Sequence, residues 1–168
     1  EFLPFEKLLN EFGLKKITQG HGSFQKGGKQ NNIIVGQLNI LPLICYEVIF
    51  TKFIQTSNLD TNLIVNISED GWFGKSIGPK QHFAHSIFRA VESGKYLLRS
   101  ANNGIAAIVN PLGIVEQKVE YGDSGYIDFK KAKKIQPTLF SKYGNKIFIT
   151  LILLYIFMIF SFNRFKNE

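Results

Sequence analysis

Ile40-Leu41-Pro42-Leu43-Ile44-Cys45-Tyr46-Glu47-Val48-Ile49-Phe50 is the stretch on which the reading of this chain turns. Residues 40–44 are apolar and lean toward extended structure. The run stops at Cys45, the only cysteine in the chain, and a carboxylate, Glu47, follows two residues later. A strand that ends at a nucleophile and turns sharply into a helix exposes that side chain at the sheet edge. It also leaves backbone N–H groups nearby to hold an oxyanion. The other reading is a buried structural thiol, since unpaired cysteine is among the most buried residue types. Glu47 also has two readings: its carboxylate points into a site, or it caps the following helix, where negative charge is favourable.

On the N-terminal side, residues 33–35 and 38–44 read as strands and residues 20–32 as a polar, glycine-rich loop. Residues 4–12 read as a short helix that Pro4 opens and Gly13 stops, with Phe5, Leu8, Leu9 and Phe12 on one face. On the C-terminal side, a helix is expected over 47–54 and a strand over 63–67. A dense loop over 68–74 then holds the only tryptophan, Trp72, between Gly71 and Gly74. A helix runs from Pro79 and Gln81 to residue 92 and closes near Gly94. Residues 96–99 and 105–109 read as strands joined by the turn Asn102-Asn103-Gly104. A second turn at 110–113 precedes a strand over 114–119, and a last strand is expected over 125–129. Strands mixed with helices and hairpin signals predict an α/β layered fold with partly antiparallel pairing.

A length of 168 residues is enough for one domain with a real core. A single cysteine excludes an internal disulfide and any zinc site built on paired cysteines. Of the three histidines, His82 and His85 are spaced to share a helix face but have no evident third ligand, so they read as a solvated pair and no metal is expected. The net charge of +7 favours an anionic partner, either nucleic acid or a membrane surface. The run Lys130-Lys131-Ala132-Lys133-Lys134 lies upstream of an uncharged apolar segment, residues 147–162. With Tyr143 and Phe165 as interfacial aromatics, that segment reaches the length of about 17–25 residues that a bilayer span needs. Its apolar residues go all the way round and it is terminal, which favours a membrane over a core helix. Basic residues beside a span suit anionic headgroups, so a membrane accounts for both charge and tail, and no nucleic-acid partner is expected. The opening Glu1-Phe2-Leu3-Pro4, without an initiator Met or a signal-peptide pattern, is expected to belong to the C-terminal portion of a longer protein.

The run Leu43-Ile44-Cys45-Tyr46-Glu47 resembles the nucleophile motif of the nitrilase, or carbon–nitrogen hydrolase, superfamily. Arg89-Ala90-Val91-Glu92, followed by Tyr96 and Asn102-Asn103, resembles that superfamily's second helix and strand. Asp70-Gly71-Trp72-Phe73-Gly74, Ser76-Ile77-Gly78-Pro79, Gln81-His82, Leu98-Arg99-Ser100-Ala101-Asn102-Asn103-Gly104 and Pro111-Leu112-Gly113 are similar to the bacterial apolipoprotein N-acyltransferase family within it. The resemblance covers nearly all of the chain. It implies a nitrilase-like four-layer α-β-β-α sandwich, partial here, followed by a C-terminal transmembrane helix. The domain map expected from it is a catalytic part over 1–137, a linker over 138–146 and the span over 147–165.

The resemblance also implies a reaction: an acyl chain passes from a phosphatidylethanolamine-like phospholipid to the cysteine, and from that thioester to the N-terminal amine of a diacylglyceryl-cysteine apolipoprotein. Cys45 would be the nucleophile of a Glu–Lys–Cys triad whose base glutamate and lysine lie upstream of this sequence. The oxyanion would be held by that lysine and by backbone N–H near Tyr46. Tyr46 and Glu47 match positions that shape the family's site, and Glu1 matches a functional glutamate closing a Val-Pro-Phe-Gly-Glu stretch. Trp72 and Phe73 are read as lipid contacts, against the alternative that a lone tryptophan is core. Arg89 and Glu92 are spaced to pair locally, and Arg99, Asn102 and Asn103 are read as organising strands and turns. No cofactor is implied, a monomer is expected, and the location implied is the bacterial inner membrane with the catalytic domain outside. The lysines at 130, 131, 133, 134, 142 and 146, ahead of Arg164 and Lys166, would by charge alone put the domain in the cytoplasm. Two other functions stay open: an amidase hydrolysing small amides, and an inactive fragment lacking the upstream Glu and Lys.

Overall fold

The computed structural model describes residues 11–12, 32–56, 61–130, 135–136 and 138–166, with side chains at 55–56 and 163–166 left out. The chain divides into two units, Glu1–Asn31 and Asn32–Glu168. In the first, Glu11 is helical and Phe12 lies in a turn. The rest of the helix expected over 4–12, almost all of the loop over 20–32, and Glu1 lie outside the described residues.

In the second unit the strands β1 (Ile33–Val35) and β2 (Leu38–Ile44) are followed by a 3-10 turn, Cys45–Ile49, and helix α1 (Thr51–Thr56). Strand β3 (Leu63–Glu69) leads through a second 3-10 turn, Gly71–Phe73, into helix α2 (Gly78–Ser93). Strands β4 (Tyr96–Asn102), β5 (Ala106–Val109) and β6 (Val115–Val119) follow, then α3 (Leu139–Tyr143) and α4 (Lys146–Lys166). The strands form one mixed sheet in chain order. The core ladders β2–β3 and β3–β4 are parallel, and the outer ladders β1–β2, β4–β5 and β5–β6 are antiparallel. The hairpin signal at Asn102-Asn103-Gly104 thus joins β4 to β5, as the turn residues predict. The β1–β2 ladder ends at Ile40, two residues before Pro42, which stands in register with Val65 of β3.

One face of the sheet meets the helices. Leu41, Leu43, Ile64, Leu97 and Val109 are at most 1 % exposed and pack with Val48, Phe83 and Ala90. Each such side chain contributes about 1.5–3 kcal/mol on burial. Helix α2 buries Pro79, His82, Phe83, Ser86, Ala90 and Ser93, the spacing of a single helical stripe. The stripe is apolar where it crosses the sheet centre and polar near Asp70 and Arg99. Gly94, at φ +68, ends the helix in the left-handed conformation that glycine adopts most readily.

Two expectations change. The helix expected over 47–54 is two pieces, because the chain is extended at Phe50 between the 3-10 turn and α1. Residues 125–129 belong to no strand, although Ile127 and Phe129 are half-buried against Leu63, Tyr96 and Ile108 on the sheet's other face. Their alternation reports one-sided burial, which an extended segment lying across a sheet shares with a paired strand. The stretch 138–146 holds α3, capped by Thr138, whose Oγ1 accepts from the Ser141 N–H at 3.0 Å. Among the described residues no helix is long and apolar enough to cross a membrane. Helix α4 spans 21 residues with side chains described as far as Phe162, and those from Phe148 to Phe162 are almost all exposed.

Candidate active site

Cys45 stands at the C-terminal end of β2, half-buried, with φ at +49. A left-handed backbone at a non-glycine residue costs on the order of 1–3 kcal/mol and persists only where its surroundings hold it. The surroundings are specific. The Cys45 carbonyl accepts from Asn66 Nδ2 at 3.2 Å and faces His82 Nε2 at 3.2 Å. The Glu47 carboxylate accepts the Ile44 N–H at 2.7 Å. Of the two readings of Glu47, the structure thus has the capping one: the carboxylate ties down the turn that carries the cysteine. The buried-thiol reading of Cys45 is not what is found.

Sγ of Cys45 lies 3.6 Å from Ser68 Oγ and 3.9 Å from the Glu69 carbonyl. Ser68 donates its proton to Asp70 Oδ1 at 2.7 Å. Asp70 also faces His82 Nδ1 at 2.9 Å and receives Arg99 Nη2 on both oxygens, at 3.0 and 2.8 Å. Arg99 is satisfied further by Asn66 Oδ1, by Ser86 Oγ at 3.2 Å and by the Ile105 carbonyl at 3.2 Å. Burial raises the Asp70 carboxyl, but hydrogen bonds from His82 and Ser68, with the charge and hydrogen bonds of Arg99, outweigh it and bring the pKa from 3.8 to about 2. Gly104 lies against this carboxylate; a Cβ there would collide with Asp70 Oδ2.

The loop after β3 is fastened separately. The Glu69 carboxylate accepts the Gly71 N–H at 2.6 Å and Asn103 Nδ2 at 3.3 Å, and Asn102 Nδ2 binds its other oxygen. Those bonds, first the Gly71 N–H, then Asn103 and Asn102, lower its pKa. Asn102 and Asn103 therefore organise the turn, as expected. Trp72 is 72 % exposed, which overturns the core reading. Phe73 is half-buried with its ring centroid 5.6 Å from that of His82. Its ring lies across the start of α2, where a Cβ on Gly78 would come within 2.5 Å of it. Tyr46, 53 % exposed, has its ring centroid 5.5 Å from that of His82. A cleft of about 610 Å³ opens between them, lined by Tyr46, Phe73, Ile77, Gln81, His82 and His85 among others. Arg89 and Glu92 pair at 2.8 Å, as their spacing predicts.

Cys45, Tyr46, Glu47 and Phe73 are thus brought together, Trp72 stands on the adjoining loop, and Glu1 is outside the described residues. The sequence reading missed Asn66, Ser68, Asp70 and His82. His82 is 2 % exposed rather than solvated. A signal was present. Arg99 follows Leu97-Leu98 inside a strand, and a charge in an apolar strand demands a buried acid, which Asp70 supplies.

A family model for carbon–nitrogen hydrolases matches residues 11–127. An apolipoprotein N-acyltransferase of Rickettsia bellii is 46 % identical over 148 residues, which are 88 % of this chain and 28 % of that protein. The enzyme of the same name from Rickettsia typhi is 44 % identical over 147 residues, 86 % of this chain and 29 % of that protein. The chain therefore spans less than a third of the length of these curated relatives. Among solved structures, Saccharomyces cerevisiae Nit3, a member of branch 10 of the nitrilase superfamily, has a TM-score of 0.53 at 18 % identity, covering 61 % of this chain and 41 % of that one. A carbon–nitrogen hydrolase from Helicobacter pylori has a TM-score of 0.51 at 14 % identity, covering 60 % and 43 %. At these identities the likeness to solved structures shows the fold alone.

Proposed function

Because this chain belongs to the carbon–nitrogen hydrolase family, we propose that Cys45 is the nucleophile of a membrane-bound acyltransferase. The enzyme moves a phospholipid acyl chain, through a cysteine thioester, to the N-terminal amine of diacylglyceryl-cysteine apolipoproteins. The observation that carries this reading is the half-buried Cys45 held at φ +49 on a strand end, on the turn whose Tyr46 lines the cleft. The names of the relatives that match most of the chain support the choice of substrates.

In the first step Sγ, its proton taken by a base, attacks the ester carbonyl of a phosphatidylethanolamine-like donor. The C–S bond forms, the C–O bond breaks, and the lysophospholipid oxygen leaves with the proton. In the second step the α-amine attacks the thioester carbonyl. The C–N bond forms, the C–S bond breaks, and the proton lost from nitrogen passes by way of the base to the sulfur, which restores the thiol. Two displacements let one site serve two bulky lipid substrates in turn. The base glutamate and the lysine of the family's triad are assigned to a part of the protein outside this sequence.

The exposed apolar rim supports a lipid substrate: Tyr46, Trp72 and Ile77 are each more than half exposed. Helix α4 supports membrane anchorage. Phe148, Leu151, Leu153, Phe157 and Phe160 are 59–71 % exposed, so its apolar surface is left for lipid. The catalytic domain is assigned to the outer side of the bacterial inner membrane. The test is transfer of a radiolabelled acyl chain from phosphatidylethanolamine vesicles to a diacylglyceryl peptide by the complete gene product. Labelled peptide is expected. Ammonia release from simple amides, with no labelled peptide, would assign the protein to the amidases instead.

A further inference from the structure

We propose that His82, with Asn66, is a positioning residue that aims the Tyr46 N–H at the developing oxyanion by pinning the carbonyl of Cys45. The inference rests on the reading of Cys45 as the nucleophile of an acyl transfer. The peptide bonds among the described residues are trans, so the N–H of Tyr46 points opposite to the carbonyl of Cys45. Whatever fixes that carbonyl fixes the direction of the N–H. Two side chains fix it, Asn66 Nδ2 and His82 Nε2, each at 3.2 Å. A carbonyl oxygen only accepts, so Nε2 carries the hydrogen.

Both side chains are themselves immobilised. Asn66 is 0 % and His82 2 % exposed. Asn66 donates also to the Leu43 carbonyl at 3.1 Å and accepts from Arg99. His82 Nδ1 donates to Asp70 Oδ1 at 2.9 Å, and Arg99 Nη2, 3.1 Å from Nδ1, donates to the same carboxylate. The left-handed backbone at Cys45 has little intrinsic preference for its own geometry, so its peptide plane follows these two donors. His82 is hydrogen-bonded to the carbonyl of Cys45 and not to its thiol. It acts through the backbone, which is why its position on a helix in a separate part of the sequence gave no hint of it.

The test compares two polar variants in the complete gene product. The side-chain amide of His82→Asn reaches the place of Nδ1, by Asp70, but not the Cys45 carbonyl. That of His82→Gln reaches the place of Nε2. Two rates are read for each: formation of the acyl-enzyme from phosphatidylethanolamine vesicles, which develops an oxyanion, and alkylation of Cys45 by iodoacetamide, which does not. Misaiming one oxyanion donor is expected to lower acylation by about 100-fold in His82→Asn, in kcat rather than KM. His82→Gln is expected to recover most of that loss, and alkylation is expected to stay within about threefold in both. Equal acylation by the two variants overturns the proposal. So does alkylation that changes in parallel with acylation, because it would assign His82 to thiol activation or to holding the fold. If Cys45→Ala still forms acyl-enzyme, the nucleophile reading fails instead, whatever the His82 variants do.

Discussion

Arg99 Nη2 lies 2.8 Å from Oδ2 of Asp70 and 3.0 Å from Oδ1, with both side chains at 0 % exposure. The pair joins β4 to the residue that follows β3, and Ser68 links its carboxylate to the cysteine. Breaking a buried pair from one side leaves an uncompensated charge and costs about 3–5 kcal/mol. Arg99→Met is expected to lower stability by that amount in urea unfolding. A loss below about 1 kcal/mol would show that the pair is not buried as described.

The same carboxylate predicts a pH dependence. Its pKa in the folded protein lies at about 2, below the ordinary 3.8. A depressed pKa stabilises the fold above the unfolded value and loses that contribution as pH falls through the folded one. The difference is worth on the order of 2 kcal/mol, present above pH 4 and lost between about pH 4 and pH 2. Asp70→Asn should flatten stability across that window. A variant whose acid unfolding follows the parent's slope would exclude Asp70 as the group responsible.

Gly104→Ala tests the tightness of the network. The added Cβ meets the Asp70 carboxylate, which cannot retreat because His82, Ser68 and Arg99 hold it. Overpacking of this kind costs about 1–3 kcal/mol. Calorimetry should find the variant less stable than the parent; an unchanged Tm would mean that the carboxylate yields.

These residues show what was legible in the sequence. The apolar run ending at Cys45 and the Asn102-Asn103-Gly104 turn were read correctly because the signal and the structure it predicts are adjacent in the chain. The same holds for the Gly94 helix stop. The extended segment at Ile127 and Phe129 was misread because alternation reports a buried face and not a hydrogen-bonded neighbour. His82 was misread because a histidine on an amphipathic helix looks the same whether it meets solvent or a buried acid. Asp70 lies in a loop before the helix and Arg99 on the strand after it, and only the fold brings the three within 3.1 Å.

Trp72 separates a stability role from a substrate role. At 72 % exposure its truncation should move stability by no more than about 0.5 kcal/mol. If the side chain meets the acyl chain, Trp72→Ala raises KM for phosphatidylethanolamine vesicles and leaves the alkylation rate of Cys45 unchanged. Unaltered kinetics with vesicle substrate would remove Trp72 from the lipid site.

The most direct test of the account is the intact mass of the complete gene product after incubation with phosphatidylethanolamine vesicles. The predicted result is an added acyl mass that hydroxylamine removes and that Cys45→Ala abolishes, the signature of a thioester on that sulfur. An acyl adduct that survives hydroxylamine, or one that Cys45→Ala retains, would contradict the assignment of Cys45 as the nucleophile.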